Sequence, residues 1–326
     1  MITMYEAYYN LSDKPFPLRP DARFFYPSQS HKRAMAYLQY GIEQGEGFIV
    51  ITGDIGTGKT TLVQNLFKRL ERDDLVAAQL VTTQLDTDDL LRMVAASFNM
   101  EYEGLSKVAL LKNLENFFST CVWEGKRVLL VIDEAQNMPK TSLEELRMLS
   151  NFQVENVPVL QTFLLGQREF NRVFHSKDME QLRQRVIASY QLQPLSRDEM
   201  QAYIEHRLRL VGWKNDPEIS DASYDLIHTY SAGIPRRINS LCDRLLLYGY
   251  LEEIHHIDKE VVQAVIRELQ DELSASTPSS SDDSFGVRDQ LNLEDRIAVL
   301  EEKVAELEDA LQLERARLRA LTLNGK

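Results

Sequence analysis

The run "FIVITGDIGTGKTTLVQNLFKRL", residues 48–70, restricts the possible folds of this chain more than any other stretch. It opens as a continuous apolar segment, breaks at glycines, and resumes with apolar residues three and four apart. That order reads as a buried strand, a tight loop and an amphipathic helix. Within it, Gly53-x-x-x-x-Gly58-Lys59-Thr60 matches the Walker A pattern. The glycines let backbone N–H groups close around phosphates without side-chain interference. Lys59 carries charge for the β and γ phosphates, and the Thr60 hydroxyl is a Mg²⁺ ligand. The following helix adds the positive end of its dipole. Gly53, Asp54, Ile55, Gly56, Thr57, Gly58, Lys59, Thr60 and Thr61 are therefore the expected nucleotide-binding segment, with ATP and Mg²⁺ as the expected ligands. The competing reading is a plain strand-to-helix turn.

Further strand candidates are "VAAQLV" (76–81), "RVLLVID" (127–133), "VLQTFLLG" (159–166) and "VIASYQL" (186–192). Several are nearly continuous apolar runs, as expected for strands covered on both faces of a parallel sheet. Between them lie helix-like segments such as "DDLLRMVAASF", so the alternation predicts α/β with crossover helices. An N-terminal segment, 1–46, leads into this core of 47–195. From 196 to 272 the pattern changes to consecutive helices with no good strand, a small helical lid. Its first helix opens on Ser196 with Glu199 three residues on, a capping box. Residues 273–290 are rich in Ser, Asp and Pro and read as a flexible linker. Beyond it, Leu293, Ile297, Leu300, Val304, Leu307, Leu311, Leu318 and Leu321 keep a 4,3 spacing broken only at Glu314. That predicts a short coiled coil over 291–323, with a lone amphipathic helix as the alternative.

Chemistry beyond the loop starts at Asp133 and Glu134, which end the apolar run "VLLVID". An aspartate at such a strand end can hold the Mg²⁺ shell, and a glutamate next to it can polarise a water for attack on the γ-phosphate. The pair favours hydrolysis over transfer to a small molecule. The expected metal ligands are accordingly Thr60 and Asp133. Gln167 ends another strand, where it either reaches the attacking water or caps the next helix. Arg183 and Arg185 precede the fifth strand and can act in trans on a neighbouring subunit's nucleotide, or simply be solvated. In "SAGIPRRIN" Arg236 opens a lid helix; it either reaches over the cleft with Arg237 facing away, or faces solvent.

These pieces in this order resemble the AAA+ ATPases: a P-loop α/β core, Asp-Glu, a finger arginine and a lid arginine in "G-x-P-R". Residues 4–272 are similar, more narrowly, to ATPases of the general secretion pathway protein A (ExeA-like) family. The stretches "MYEAYYNLSDKPFPLRPDARFFYPSQSHKRAMAYLQYGI", "DEAQNM", "LEELRMLSNF", "LLGQREF" and "LRQRVIASYQLQPL" carry that likeness. The chain also resembles the ATPase encoded with exosortase A systems, which accompany exopolysaccharide export and surface-protein sorting. The resemblance implies that Lys59 and Thr60 bind nucleotide and metal and that Asp133 and Glu134 support hydrolysis. It further implies that Arg185 or Arg183 is the finger, that Arg236 is the lid sensor, and that Phe24, Phe25 and Tyr26 wall the adenine. Gln167 departs from the Asn, Thr or Ser common at the first sensor position.

A formal net charge of −13 argues against a protein that coats nucleic acid through its basicity. No stretch has the ~18–20 apolar residues of a membrane helix, and secretion-type relatives often carry such a segment and a peptidoglycan-binding module. The two cysteines, Cys121 and Cys242, read as buried thiols of a reducing compartment. The expectation is a cytoplasmic, homo-oligomerising ATPase, held at the inner membrane only through partners. It would drive or regulate an envelope export, polysaccharide-assembly or sorting system, with the coiled coil as its handle. The alternatives are a DNA-handling AAA+ ATPase of the transposition or replication-loader type and a non-hydrolysing nucleotide-dependent scaffold.

Overall fold

The computed structural model describes residues 4–275 apart from 18, 20, 70–73 and 82–86. A short helix, α1 (Met4–Tyr8), precedes α2 (Gln29–Gln44), β1 (Phe48–Gly53), α3 (Lys59–Arg69) and β2 (Leu75–Val81). Helices α4 (Thr87–Ser97) and α5 (Lys107–Trp123) lead to β3 (Arg127–Asp133) and α6 (Lys140–Leu149). Two-residue strands β4 (Gln153–Val154) and β5 (Val157–Pro158) make a small antiparallel pair. Then come β6 (Gln161–Gly166), α7 (Arg168–Phe174), α8 (Glu180–Arg183) and β7 (Val186–Leu192).

Each of the five apolar runs is a strand of one parallel sheet, ordered β2-β3-β6-β1-β7. Every residue of β1 and β6 is buried, because helices cover both faces. Successive side chains of a strand point to opposite faces, so one apolar run feeds two cores. Phe48, Val50, Leu130, Ile132 and Leu164 meet α4, α5, α6 and α7 on one face. Ile49, Ile51, Leu129, Val131, Phe163 and Leu165 meet α2 and α3 on the other. Each such Leu, Ile or Phe contributes about 1.5–3 kcal/mol of burial, which is why β1 and β3 are nearly continuous apolar runs. The run "VLQTFLLG" shortens to Gln161–Gly166 in the ladder; Val159 and Leu160 are buried ahead of it, and Val159 N–H donates to Phe152 O at 3.2 Å. Because all strands run the same way, Gly53, Asp133 and Gly166 arrive at one edge of the sheet. Ligands of open α/β sheets bind outside that carboxyl edge.

The helical region holds α9 (Arg197–Leu210), α10 (Asp221–Ser231), α11 (Pro235–Leu251) and α12 (Lys259–Ala275). Ser196 and Glu199 form the expected capping box. Pro235 stands at the first position of α11, where its fixed φ suits a helix start and its missing N–H costs nothing. The strand-free expectation needs a small correction: β8 (Glu218–Ile219) pairs in parallel with β9 (His256–Ile257). Two residues are too short to show a period in sequence. Helix α12 continues through Ala275, past the expected boundary at 272. The remainder of the linker (273–290) and the coiled coil (291–323) lie outside the described residues. Cys121 and Cys242 are buried and unpaired. Among the described residues, no helix is long and apolar enough to cross a membrane.

Candidate nucleotide site

The loop between β1 and α3 is built around a captured lysine. Lys59 is 6% exposed, and its Nζ donates to the carbonyls of Gly53 (2.8 Å) and Asp54 (3.0 Å). Burial pushes its pKa down, while the carboxylates of Glu134, Asp133, Asp54 and Glu169 push it back up. Thr57 is fully buried and its hydroxyl donates to Asp54 O at 2.8 Å. Gly56 and Gly58 adopt φ of +84° and +96°, which a residue with a Cβ reaches only under strain. Space forbids one too: a Cβ on Gly56 would stand 2.5 Å from Cβ of Arg236, and one on Gly58 3.0 Å from the His31 ring.

That His31 contact has a role. The Thr57 carbonyl can only accept, so the 3.1 Å contact makes His31 Nε2 the protonated nitrogen. Nδ1 then accepts from the Ser28 hydroxyl at 2.7 Å. Both ring nitrogens are thus used in the neutral form, and burial pushes the imidazole pKa below its ordinary value. The start of α2 therefore props the loop from below.

Asp133 and Glu134 reach the same edge from β3. The Thr60 hydroxyl donates to Asp133 Oδ2 at 2.7 Å, bringing the two expected metal ligands together. Glu134 has φ +57° and ψ +40°, a left-handed conformation that costs a non-glycine residue on the order of 1–3 kcal/mol. Its Oε2 accepts from Gln136 Nε2 at 2.5 Å and from Gln167 Nε2 at 3.1 Å. Burial raises the Glu134 pKa, but these two donors and the Lys59 charge outweigh it, leaving the group below the usual carboxylate value. The backbone N–H of Gln167 also donates to Gln136 Oε1 at 2.9 Å. Although Gln167 precedes α7, its side chain makes no capping bond. Its amide turns to Glu134 instead.

One cavity of about 350 Å³ is lined by Ile55 to Thr61 and Glu134, and by Phe24, Phe25, Tyr26, Leu195, Tyr203 and Arg207. The lid closes over it through Pro235, Arg236 and Asn239. Arg236 N–H donates to Gly56 O at 3.2 Å, so the start of α11 rests on the loop itself. Arg237 points elsewhere and does not line the cavity. Gly233, at φ +69°, lets the Leu195 carbonyl approach where core becomes lid.

Arg183 and Arg185 stand apart from this cavity. Arg183 Nη1 donates to the carbonyls of Phe174 (2.9 Å) and Ser176 (2.6 Å), and Arg185 Nη1 to Ser150 O at 3.3 Å. The Arg185 carbonyl pairs with Phe48 N, at the opposite edge of the sheet. The length of β1, about 17 Å at ~3.3 Å per residue, separates it from the loop of its own chain.

The sequence pattern gave no sign of several residues at the site. Arg168 Nε meets Asp54 Oδ1 at 2.5 Å, and Asn171 Nδ2 donates to Thr52 Oγ1 at 3.2 Å. Arg207, 5% exposed, is held by Pro15 O, Tyr203 and Asn239. For His31, Arg168 and Asn171 only the helix starts were legible. Their partners lie on other elements.

The donor set suits Mg²⁺. A hydroxyl and one carboxylate are hard oxygen ligands of the kind that bind this ion together with substrate phosphates rather than in an all-protein cage. No group of three or more His, Cys, Asp or Glu side chains suited to a metal occurs among the described residues.

Comparison with known proteins accords with this geometry. Residues 42–174 match the model of the AAA domain. Over 255 residues, 78% of its length, the chain is 34% identical to the general secretion pathway protein A of Aeromonas hydrophila. It spans about half of that relative, 46%. Among solved structures, Cdc6p of Pyrobaculum aerophilum superposes with a TM-score of 0.62 at 16% identity, covering 76% of this chain and 71% of that one. The ORC2 protein of Aeropyrum pernix, in ADPNP and ADP complexes, gives 0.56 at 16% identity, covering 74% and 67%. At such identities the likeness concerns the fold.

Proposed function

Because the chain is a P-loop NTPase of the AAA fold related to general secretion pathway protein A, we propose that it binds ATP with Mg²⁺ and hydrolyses it. The observation that carries this reading is the placement of Glu134 beside the Thr60–Asp133 pair, in the same cavity as Lys59. Lys59 and the start of α3 would hold the phosphates, and Thr60 and Asp133 would hold Mg²⁺, which neutralises phosphate charge. Glu134, ionised at neutral pH, accepts the proton of the attacking water, and Gln167 fixes its carboxylate. Arg236 brings the lid to the loop, so that the state of the phosphates sets the position of α11.

The larger role we assign is to power or regulate assembly of a bacterial envelope export, exopolysaccharide or protein-sorting system. The name of the Aeromonas relative supports the export setting. Arg183 or Arg185 serves as a finger only toward a second copy of the chain, because neither lines the cavity of its own loop. Residues 291–323 would be the handle for copies or partners, acting from the cytoplasmic side of the inner membrane. A net charge of −13 weighs against the DNA-handling alternative.

Titrating the full chain with ATP in the presence of Mg²⁺ tests the core of this reading. Saturable binding that falls at least roughly tenfold in Lys59→Ala supports it, by the loss of a charged contact. Wild-type protein that binds no ATP would refute it. Deleting residues 291–323 should abolish partner capture and leave ATP binding unchanged.

A further inference from the structure

Arg207 sits in the lid helix α9 yet is 5% exposed, and no carboxylate pairs with it among the described residues. Three aromatic rings surround its guanidinium instead: Phe24 at 4.8 Å, Tyr203 at 5.4 Å and Phe16 at 5.7 Å from the ring centroids. Two of its nitrogens have structural tasks. Nε donates to Pro15 O at 2.8 Å, and Nη1 donates to Tyr203 Oη at 2.5 Å and Asn239 Oδ1 at 2.8 Å. These bonds fix the plane of the group. Nη2 makes no hydrogen bond to the described residues, and Arg207 lines the 350 Å³ cavity.

An arginine does not shed its charge. With Nε and Nη1 engaged, Nη2 is the donor left open to whatever fills the cavity. The same cavity is lined by Lys59, Thr60 and Glu134 and by Arg207, whose guanidinium lies over Phe24 and Tyr203, with Tyr26 against Tyr203. A purine presents its faces to such rings and ring-nitrogen acceptors at its edge. We infer that Arg207 recognises the base of the bound nucleotide, Nη2 donating to one ring nitrogen while Phe24 and Tyr203 hold its plane. This rests on the nucleotide reading above and adds a specificity-determining residue to it.

The test is competition binding with the full chain, using ATP and its 1-deaza, 3-deaza and 7-deaza analogues. One analogue, the one whose accepting nitrogen has become C–H, should bind roughly tenfold or more weakly, as loss of a partner to a charged donor implies. The other two should bind as ATP does. If all three match ATP, the inference is wrong although the nucleotide reading survives; if ATP itself fails to bind, it is the nucleotide reading that fails. A second arm uses Arg207→Met. It should weaken ATP and ADP by the same factor and remove the discrimination among analogues. Retained discrimination in that variant would also overturn the inference. Should that variant not fold, Arg207→Gln takes its place, with the same loss of discrimination expected and retained discrimination overturning the inference.

Discussion

The side-chain amide of Gln167 donates to the Glu134 carboxylate at 3.1 Å, joining the end of β6 to the end of β3. Glu134 is held in a left-handed conformation at that point, and Gln136 grips the same oxygen. The carboxylate proposed to receive the water proton is thus fixed in direction before any substrate arrives.

Removing the amide should cost turnover and not affinity. Gln167→Ala is expected to lower kcat by roughly tenfold to a hundredfold, the range for loss of a positioning hydrogen bond to a charged group. The Kd for ATP should stay within about threefold of wild type by the same reasoning, since Gln167 faces the carboxylate and not the loop. Gln167 also helps hold the Glu134 pKa down, so its loss should move the acidic limb of the kcat profile to higher pH. An unshifted limb would count against the positioning role.

The contact between loop and lid gives a second expectation. A Cβ at Gly56 would stand 2.5 Å from that of Arg236, at a φ of +84°. Strain of this kind costs about 1–3 kcal/mol. Gly56→Ala should therefore weaken ATP binding by about tenfold or more, with a small change in Tm because the loop is outside the main core. Unchanged affinity would show that the lid does not need to rest on the loop.

Protonation of His31 supplies a third. The folded protein holds this ring neutral, with a pKa below the ordinary ~6.5 of the unfolded chain, burial winning over the nearby Glu199 charge and the Thr57 carbonyl. Below about pH 6.5 the unfolded chain takes up a proton that the folded chain does not, so stability falls as pH falls. The loss is at most about 1.4 kcal/mol per pH unit for one group. Denaturation of wild type and His31→Gln between pH 5 and 8 should show a steeper acid loss in wild type. Equal slopes would remove His31 from the explanation, whatever His206 contributes.

The central strands were legible in the sequence because burial on both faces leaves nearly unbroken apolar runs, as in "FIVIT" and "RVLLVID", while β2 and β7, only partly buried, keep shorter apolar stretches. The lid helices were legible from local signals such as Ser196 with Glu199. The phosphate loop was legible too, since its glycines and Lys59 act within nine residues of chain. What escaped depends on which strands lie side by side. Gln167 and Glu134 meet only because β6 pairs with β3, a fact of sheet order that no local pattern encodes. Arg207 reads in sequence as one more charge on an amphipathic helix; only the segment carrying Pro15, Phe16 and Phe24 buries it.

The most direct measurement of the central claim is phosphate release by the full chain from ATP with Mg²⁺, wild type against Glu134→Gln. Wild type should turn over. Glu134→Gln keeps the shape of the side chain and loses the base, so its kcat should fall by roughly a hundredfold or more while ATP binding persists. No phosphate release from wild type, or undiminished release from Glu134→Gln, would contradict the assignment of Glu134 as the hydrolytic base.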